Sequence, residues 1–126
     1  MPPVALVVDD SMLARHSVSR FLEEHGFVVE SVSNGQEALD KLANFRPNLI
    51  VTDMKMPGMS GSELIRALKT NRRTAGIPII IVAARQSGVD PNSDDQADYA
   101  IYKDIDVESQ LDKALAALFG PSDGRG

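Results

Sequence analysis

The sequence predicts an α/β domain: a doubly wound, five-stranded parallel sheet of flavodoxin-like order 2-1-3-4-5, with a degenerate fourth helix. Two observations point there. Short, wholly apolar runs rich in β-branched residues recur along the 126 residues, as strands buried on both faces do. Between them lie stretches whose apolar residues repeat at helical spacing, so strands and amphipathic helices alternate. Right-handed crossovers then leave few topologies open.

Val4–Val8 is the first such run, and it ends in Asp9-Asp10-Ser11, where Asp10 or Ser11 can cap a helix. Ala14, Val18, Phe21 and Leu22 share one stripe of that helix, and Gly26 stops it. Residues 27–32 form the second strand. Asn34-Gly35-Gln36-Glu37 resembles a capping box with Asn34 in the cap, and Ala38, Leu39 and Leu42 face inward behind it. Pro47 breaks the pattern before a third strand over 48–52 that ends at Asp53. Ser60 with Glu63 forms the next capping box, and Leu64, Ile65 and Leu68 form its buried face. Residues 77–84 are the fourth strand and Tyr99–Tyr102 a short fifth. Asp106 caps a last helix carrying Val107, Leu111, Ala114, Leu115 and Leu118 on one stripe, with Gly120 at its end. The crossover at 85–98 has almost no apolar anchor, so we expect a short or irregular helix and, apart from the termini, the most mobile part of the domain. The domain is expected over 1–120 and a disordered tail over 121–126.

Composition narrows the function classes. Hydrophobic residues make up 43% and charged residues 25%, which suits a single globular core. Thirteen Lys and Arg against 18 Asp and Glu give a net charge of −5, which argues against nucleic acid as a partner of this domain. With no cysteine, thiol catalysis and Cys-ligated zinc are excluded. No signal peptide or membrane span is legible, so the expected setting is cytoplasmic, without a membrane partner.

In a 2-1-3-4-5 sheet the ligand crevice lies between the C-terminal ends of strands one and three. Asp9 and Asp10 end strand one and Asp53 ends strand three, so three carboxylates meet there. They repel one another unless a cation intervenes, and an all-oxygen donor set suits Mg²⁺. Mg²⁺ keeps open positions that phosphate oxygens fill, and a carboxylate can itself accept a phosphoryl group. Lys103, at the end of strand five, can add positive charge on that rim. The plainer alternative is that Asp9 and Asp10 only cap a helix and Asp53 only begins a turn.

The runs Val7-Val8-Asp9-Asp10-Ser11, Asp53-Met54-Lys55-Met56-Pro57-Gly58-Met59-Ser60-Gly61 and Pro78-Ile79-Ile80-Ile81-Val82, followed by Lys103, resemble the response-regulator receiver domain of two-component signalling. The likeness spans about residues 4–119. It implies Asp53 as phosphoacceptor and a histidine kinase or phosphotransfer protein as donor. It further implies Mg²⁺ ligation by Asp10, Asp53, the main-chain carbonyl of Lys55 and, largely through water, Asp9. Lys103 and the main-chain N–H of Ala84 would meet the phosphoryl group, and a downstream protein, not identifiable from sequence, would read the result. Such a domain assists only its own phosphorylation and dephosphorylation and is not an enzyme in the ordinary sense.

The chain departs from that pattern at Ala83, where Ser or Thr is usual, at Ala100, where an aromatic ring is usual, and at Asp104, where proline is usual. Tyr99 lies one place before Ala100 and so on the opposite face. The expectation is a muted surface change on phosphorylation. The competing reading is a pseudo-receiver that binds proteins without being phosphorylated. A flavin carrier or an aspartate-based phosphatase of the same fold class fits less well, because Asp9-Asp10-Ser11-Met12 has the wrong charge and spacing for either.

Four other features carry less. Asp90, Asn92 and Asp94 begin a calcium-loop pattern that Asp95 and Ile101 break. His16 and His25 read as surface or helix-end residues. Met54, Met56 and Met59 read as cover for a loop rather than an adaptable contact surface, and Arg66, Lys69, Arg72 and Arg73 as a solvated basic face at a helix end rather than a binding site.

Overall fold

The chain is described by a computed structural model over residues 2–83, 97–102 and 106–120. The elements run β1 (Val4–Val8), α1 (Met12–Glu24), β2 (Val28–Val32), α2 (Gly35–Leu42), β3 (Leu49–Asp53), α3 (Gly61–Lys69), β4 (Ile79–Ala83), β5 (Tyr99–Tyr102) and α4 (Val107–Phe119). The sheet order is β2-β1-β3-β4-β5 with every pair parallel, as the alternation of strands and helices requires. The expected crossover helix at 85–98 lies outside the described residues except for Ala97 and Asp98, and the tail at 121–126 lies outside them entirely.

Two apolar layers flank the sheet. Leu6, Val8, Ile50, Ile79, Ile81 and Ala83 point to one side, against Ala38 and Leu42 of α2 and Leu64, Ile65 and Leu68 of α3. The intervening residues Ala5, Val7, Leu49, Val51, Ile80, Val82 and Ile101 point to the other. There they meet Val18, Phe21 and Leu22 of α1 and Leu111, Ala114 and Leu115 of α4. This is the period-2 alternation of a strand covered on both faces, which is why β3 and β4 are buried at every position. The helical stripes read from sequence are the buried faces, although Ala14, Leu39, Val107 and Leu118 sit only half-buried at their margins.

Several boundaries move for local reasons. β2 begins at Val28, because the Phe27 N–H is spent closing α1 on Leu22 O (3.0 Å) while Gly26 N–H donates to Glu23 O (3.1 Å). With Gly26 at φ 92°, this is a Schellman ending. β3 is shifted one residue onward to Leu49–Asp53, and Asp53 pairs with Val82 as a strand residue. β4 starts at Ile79, because Pro78 has no N–H and the Ile77 N–H donates to Thr74 O (3.1 Å). Of the two candidate caps for α1, Ser11 serves, accepting from the Ala14 N–H at 3.2 Å.

The basic face at the end of α3 is partly structural. Arg73 Nη1 donates to Ala43 O, Arg46 Nε donates to Arg73 O, and Lys69 Nζ donates to Ala75 O. These bonds knit the ends of α2 and α3 to the loop before β4. His25 is the C-cap of α1, with its ring stacked on Phe21. Among the described residues no helix is long and apolar enough to cross a membrane.

Candidate functional site

The C-terminal ends of β1 and β3 lie side by side, with Val8 in register with Thr52. The residues that follow are therefore delivered to one rim. Asp9 is buried (4% exposed), Asp53 is buried (6% exposed) and Asp10 is open to solvent. One carboxylate oxygen from each falls within 4.8 Å of the others. Sequence reasoning placed these three together, and the parallel register is what achieves it.

The two buried carboxylates each have a fixed frame. The Asp9 N–H donates to Val32 O (3.2 Å), its Oδ1 accepts from the Ser11 N–H (2.9 Å), and its carbonyl accepts from Arg15 Nη1 (2.8 Å). The Oδ1 of Asp53 accepts from the Met54 N–H at 2.8 Å, which fixes the turn of the carboxylate about its last bond. The Thr52 hydroxyl donates to Asp53 O (3.0 Å), and the Gly61 N–H donates to Met54 O (2.7 Å), drawing the start of α3 onto the end of β3.

Arg15 is a site neighbour that the sequence does not mark out. Its signal is a cation one turn into the helix that begins behind Asp9-Asp10, but sequence alone does not say which way that side chain turns. Its guanidinium, besides bonding Asp9 O, lies close enough to favour the charged form of Glu37. Gly61 ends the run that begins at Asp53, and its closeness to Asp53 is purely tertiary.

Lys55 is exposed two residues beyond Asp53, beside a shallow depression of about 390 Å³ that it shares with Met56, Pro57 and Ser60. The methionines correct an expectation. Met54 and Met56 do more than cover a loop: they are buried at 6% and 9% exposure and join the core beneath α2 and α3. Unbranched thioethers fill the irregular space under a loop that β-branched residues would not fit. Met59 packs against Gly35 at the start of α2. Ala84, Lys103 and Asp104 lie outside the described residues, as do Asp90, Asn92, Asp94 and Asp95. Ala83 ends β4, buried, and pairs in register with Tyr102; Ala100 pairs with Ile81.

The family model described as the response regulator receiver domain matches residues 5–116. This chain belongs to that family. The receiver domain is 36% identical to the response regulator MprA of Mycolicibacterium vanbaalenii, in an alignment covering all of this chain and 55% of that protein. It thus spans about half the length of the curated relatives it matches. Its fold matches the chemotaxis response regulator CheY4 of Vibrio cholerae with a TM-score of 0.81 at 28% identity, over 94% of this chain and 99% of that one. The receiver domain of the sensor histidine kinase PA1611 from Pseudomonas aeruginosa, a structure with a magnesium ion coordinated in its active site cleft, matches with a TM-score of 0.81. That match covers 93% and 97% of the two chains at 20% identity, a likeness of fold alone. The chain is a receiver domain of a two-component response regulator.

Proposed function

We propose that this receiver domain accepts a phosphoryl group on Asp53 from a histidine kinase or phosphotransfer protein, in the cytoplasm, and presents the result to a downstream protein. The observation that carries this reading is the convergence of the Asp9, Asp10 and Asp53 carboxylates within 4.8 Å. Three anions brought that close, two of them buried, make an all-oxygen donor set that a hard cation fits and a soft one does not. Asp9, Asp10, Asp53 and the Lys55 carbonyl are the groups that would hold Mg²⁺. When bound, the ion neutralises the carboxylates and offsets the charge on the phosphoryl oxygens.

The residues of the chain do the rest. A carboxylate oxygen of Asp53 forms the new O–P bond as the donor's N–P bond breaks, and the departing imidazole keeps its electron pair and takes up a proton. The Met54 N–H holds the carboxylate at a fixed angle for that approach. On this reading Lys103 and the main-chain N–H of Ala84 are the groups that would meet the phosphoryl oxygens. Phosphoryl transfer depends on positioning and charge balance of this kind more than on further covalent chemistry.

Incubation with acetyl phosphate and Mg²⁺, read by intact mass, tests the assignment. The expected result is one phosphoryl unit on the wild type and none on Asp53→Asn. A full mass shift retained by that variant would move the acceptor elsewhere. Ala83, a buried end to β4 with no hydroxyl to offer, favours a second reading, a phosphorylation-independent binding module. A wild type that gains no mass would leave that reading standing.

A further inference from the structure

Arg15 stands against a local preference. It is the fourth residue of α1, at the end where the helix dipole is positive and a cation is unfavourable, and the first turn holds no acidic residue to offset it. Something beyond the helix therefore holds the side chain in place. Its Nη1 donates to the Asp9 carbonyl at 2.8 Å. The β1–β2 ladder ends with the Val8–Val32 pair, so that carbonyl lies past the last paired strand residues, and the guanidinium serves it instead. The guanidinium also lies near Glu37 in the first turn of α2. The Glu37 carboxyl is held below its ordinary value by the Ser33 N–H first, by the Ser33 hydroxyl second and, more weakly, by Arg15. Arg15 thus ties the loop after β1 to the starts of both α1 and α2.

The Asp9 carbonyl is half of the peptide unit that carries Asp10. Because the peptide is planar, fixing that oxygen also fixes the direction in which the chain reaches the Asp10 Cα. Asp10 depends on this more than its two neighbours do. The Asp9 carboxylate is steadied by the Ser11 N–H and that of Asp53 by the Met54 N–H, whereas the Asp10 side chain is open to solvent. Its place in the group of three carboxylates, within 4.8 Å of the others, therefore depends on the main chain beneath it. We infer that Arg15 is a positioning residue for the cation: by holding the Asp9–Asp10 peptide it keeps the Asp10 carboxylate turned toward the rim. The inference rests on the reading of the acidic rim as the Mg²⁺ site. A purely electrostatic role for the same guanidinium has the opposite sign. A positive charge near the rim repels a divalent cation, so its loss would tighten binding. Positioning requires that its loss weaken binding.

The test is a Mg²⁺ titration of the wild type and of Arg15→Met, followed by the amide shifts of Asp9, Asp10 and Asp53. The rate of labelling by acetyl phosphate is measured across the same Mg²⁺ range. Met keeps the unbranched stem but has neither the charge nor the donor. The expected result is an affinity for Mg²⁺ about tenfold weaker, the low end of the usual effect of removing a group that orients a metal ligand, because the lost repulsion works the other way. The labelling rate at saturating Mg²⁺ is expected to stay within about twofold of the wild type, since Asp53 keeps its own hydrogen bond. Tighter or unchanged binding would overturn the proposal. So would a loss of rate at saturating Mg²⁺ as large as the loss of affinity, which would make Arg15 a general support of the rim. A wild type whose rim amides do not respond to Mg²⁺ would remove the cation reading, and this one with it. A wild type that binds Mg²⁺ but gains no phosphoryl group would end the acceptor reading alone, with the titration still deciding the role of Arg15.

Discussion

At Gly61 the backbone runs so close to the end of β3 that a Cβ there would press on Asp53 O and stand 2.9 Å from Met54 Cα. Both obstacles are main chain and cannot swing aside. Gly61→Ala is expected to cost about 1–3 kcal/mol, the usual range for overpacking, and to slow phosphorylation by tilting Asp53. Urea denaturation and the acetyl phosphate assay measure the two effects. Gly35 offers the contrast. A Cβ there meets the Met59 side chain, with Sδ nearest at 2.7 Å, and a flexible thioether can give way. Gly35→Ala should therefore cost less than Gly61→Ala in the same denaturation series. Lys103→Ala belongs at this scale too: with the role proposed for it, charge and not packing, its loss should leave stability within about ±0.5 kcal/mol while weakening phosphorylation.

The helices facing the rim are held by caps that titrate. In α3 the Ser60 Oγ accepts from the Glu63 N–H (3.1 Å) and Glu63 Oε1 accepts from the Ser60 N–H (2.9 Å), a complete capping box. At α2 the box is displaced by one residue. Asn34 caps the Glu37 N–H (2.8 Å), but Glu37 Oε1 accepts from the N–H and hydroxyl of Ser33 (2.9 Å each). The main-chain N–H of Ser60 first, and its hydroxyl second, hold the Glu63 carboxyl below its ordinary value of 4.5; Ser33 does the same for Glu37. Lowered folded values mean that this stabilisation is fully present above the unfolded value. It is lost as pH falls below about 4.5 and through the folded values. Urea midpoints at about pH 6 and about pH 3 should show a decline that is smaller in the Glu37→Gln, Glu63→Gln double variant. An unchanged decline would mean the caps do not contribute.

Across the whole molecule, the two apolar layers meet at a sheet whose central strands are buried throughout. Truncating Ile81 to Ala, at full burial between β3 and β5, is expected to cost about 2–5 kcal/mol. The acidic rim works against that stability, since folding gathers three carboxylates at one place. A cation that binds only the folded rim should stabilise the domain by about 2.7 kcal/mol at a hundredfold excess over its Kd. Thermal melts with and without Mg²⁺ check this, and the gain should shrink markedly in Asp10→Asn. A gain unchanged in that variant would place the ion elsewhere.

The sequence by itself determined the parallel α/β fold, its strand order, the buried stripes and the meeting of Asp9, Asp10 and Asp53. These follow from periodicity and from residues at strand ends, which are local signals that a parallel register translates directly into space. Only the tertiary structure decided how the rim is braced: Arg15 on the Asp9 carbonyl, Gly61 against Asp53, and Met54 and Met56 turned into the core. Each of those joins segments whose spacing carries no period, so only packing can choose the partner. The displaced cap of α2 has the same cause at short range. Ser33 and Asn34 both offer groups to Glu37, and the path of the chain leaving β2, which no composition rule states, selects Ser33.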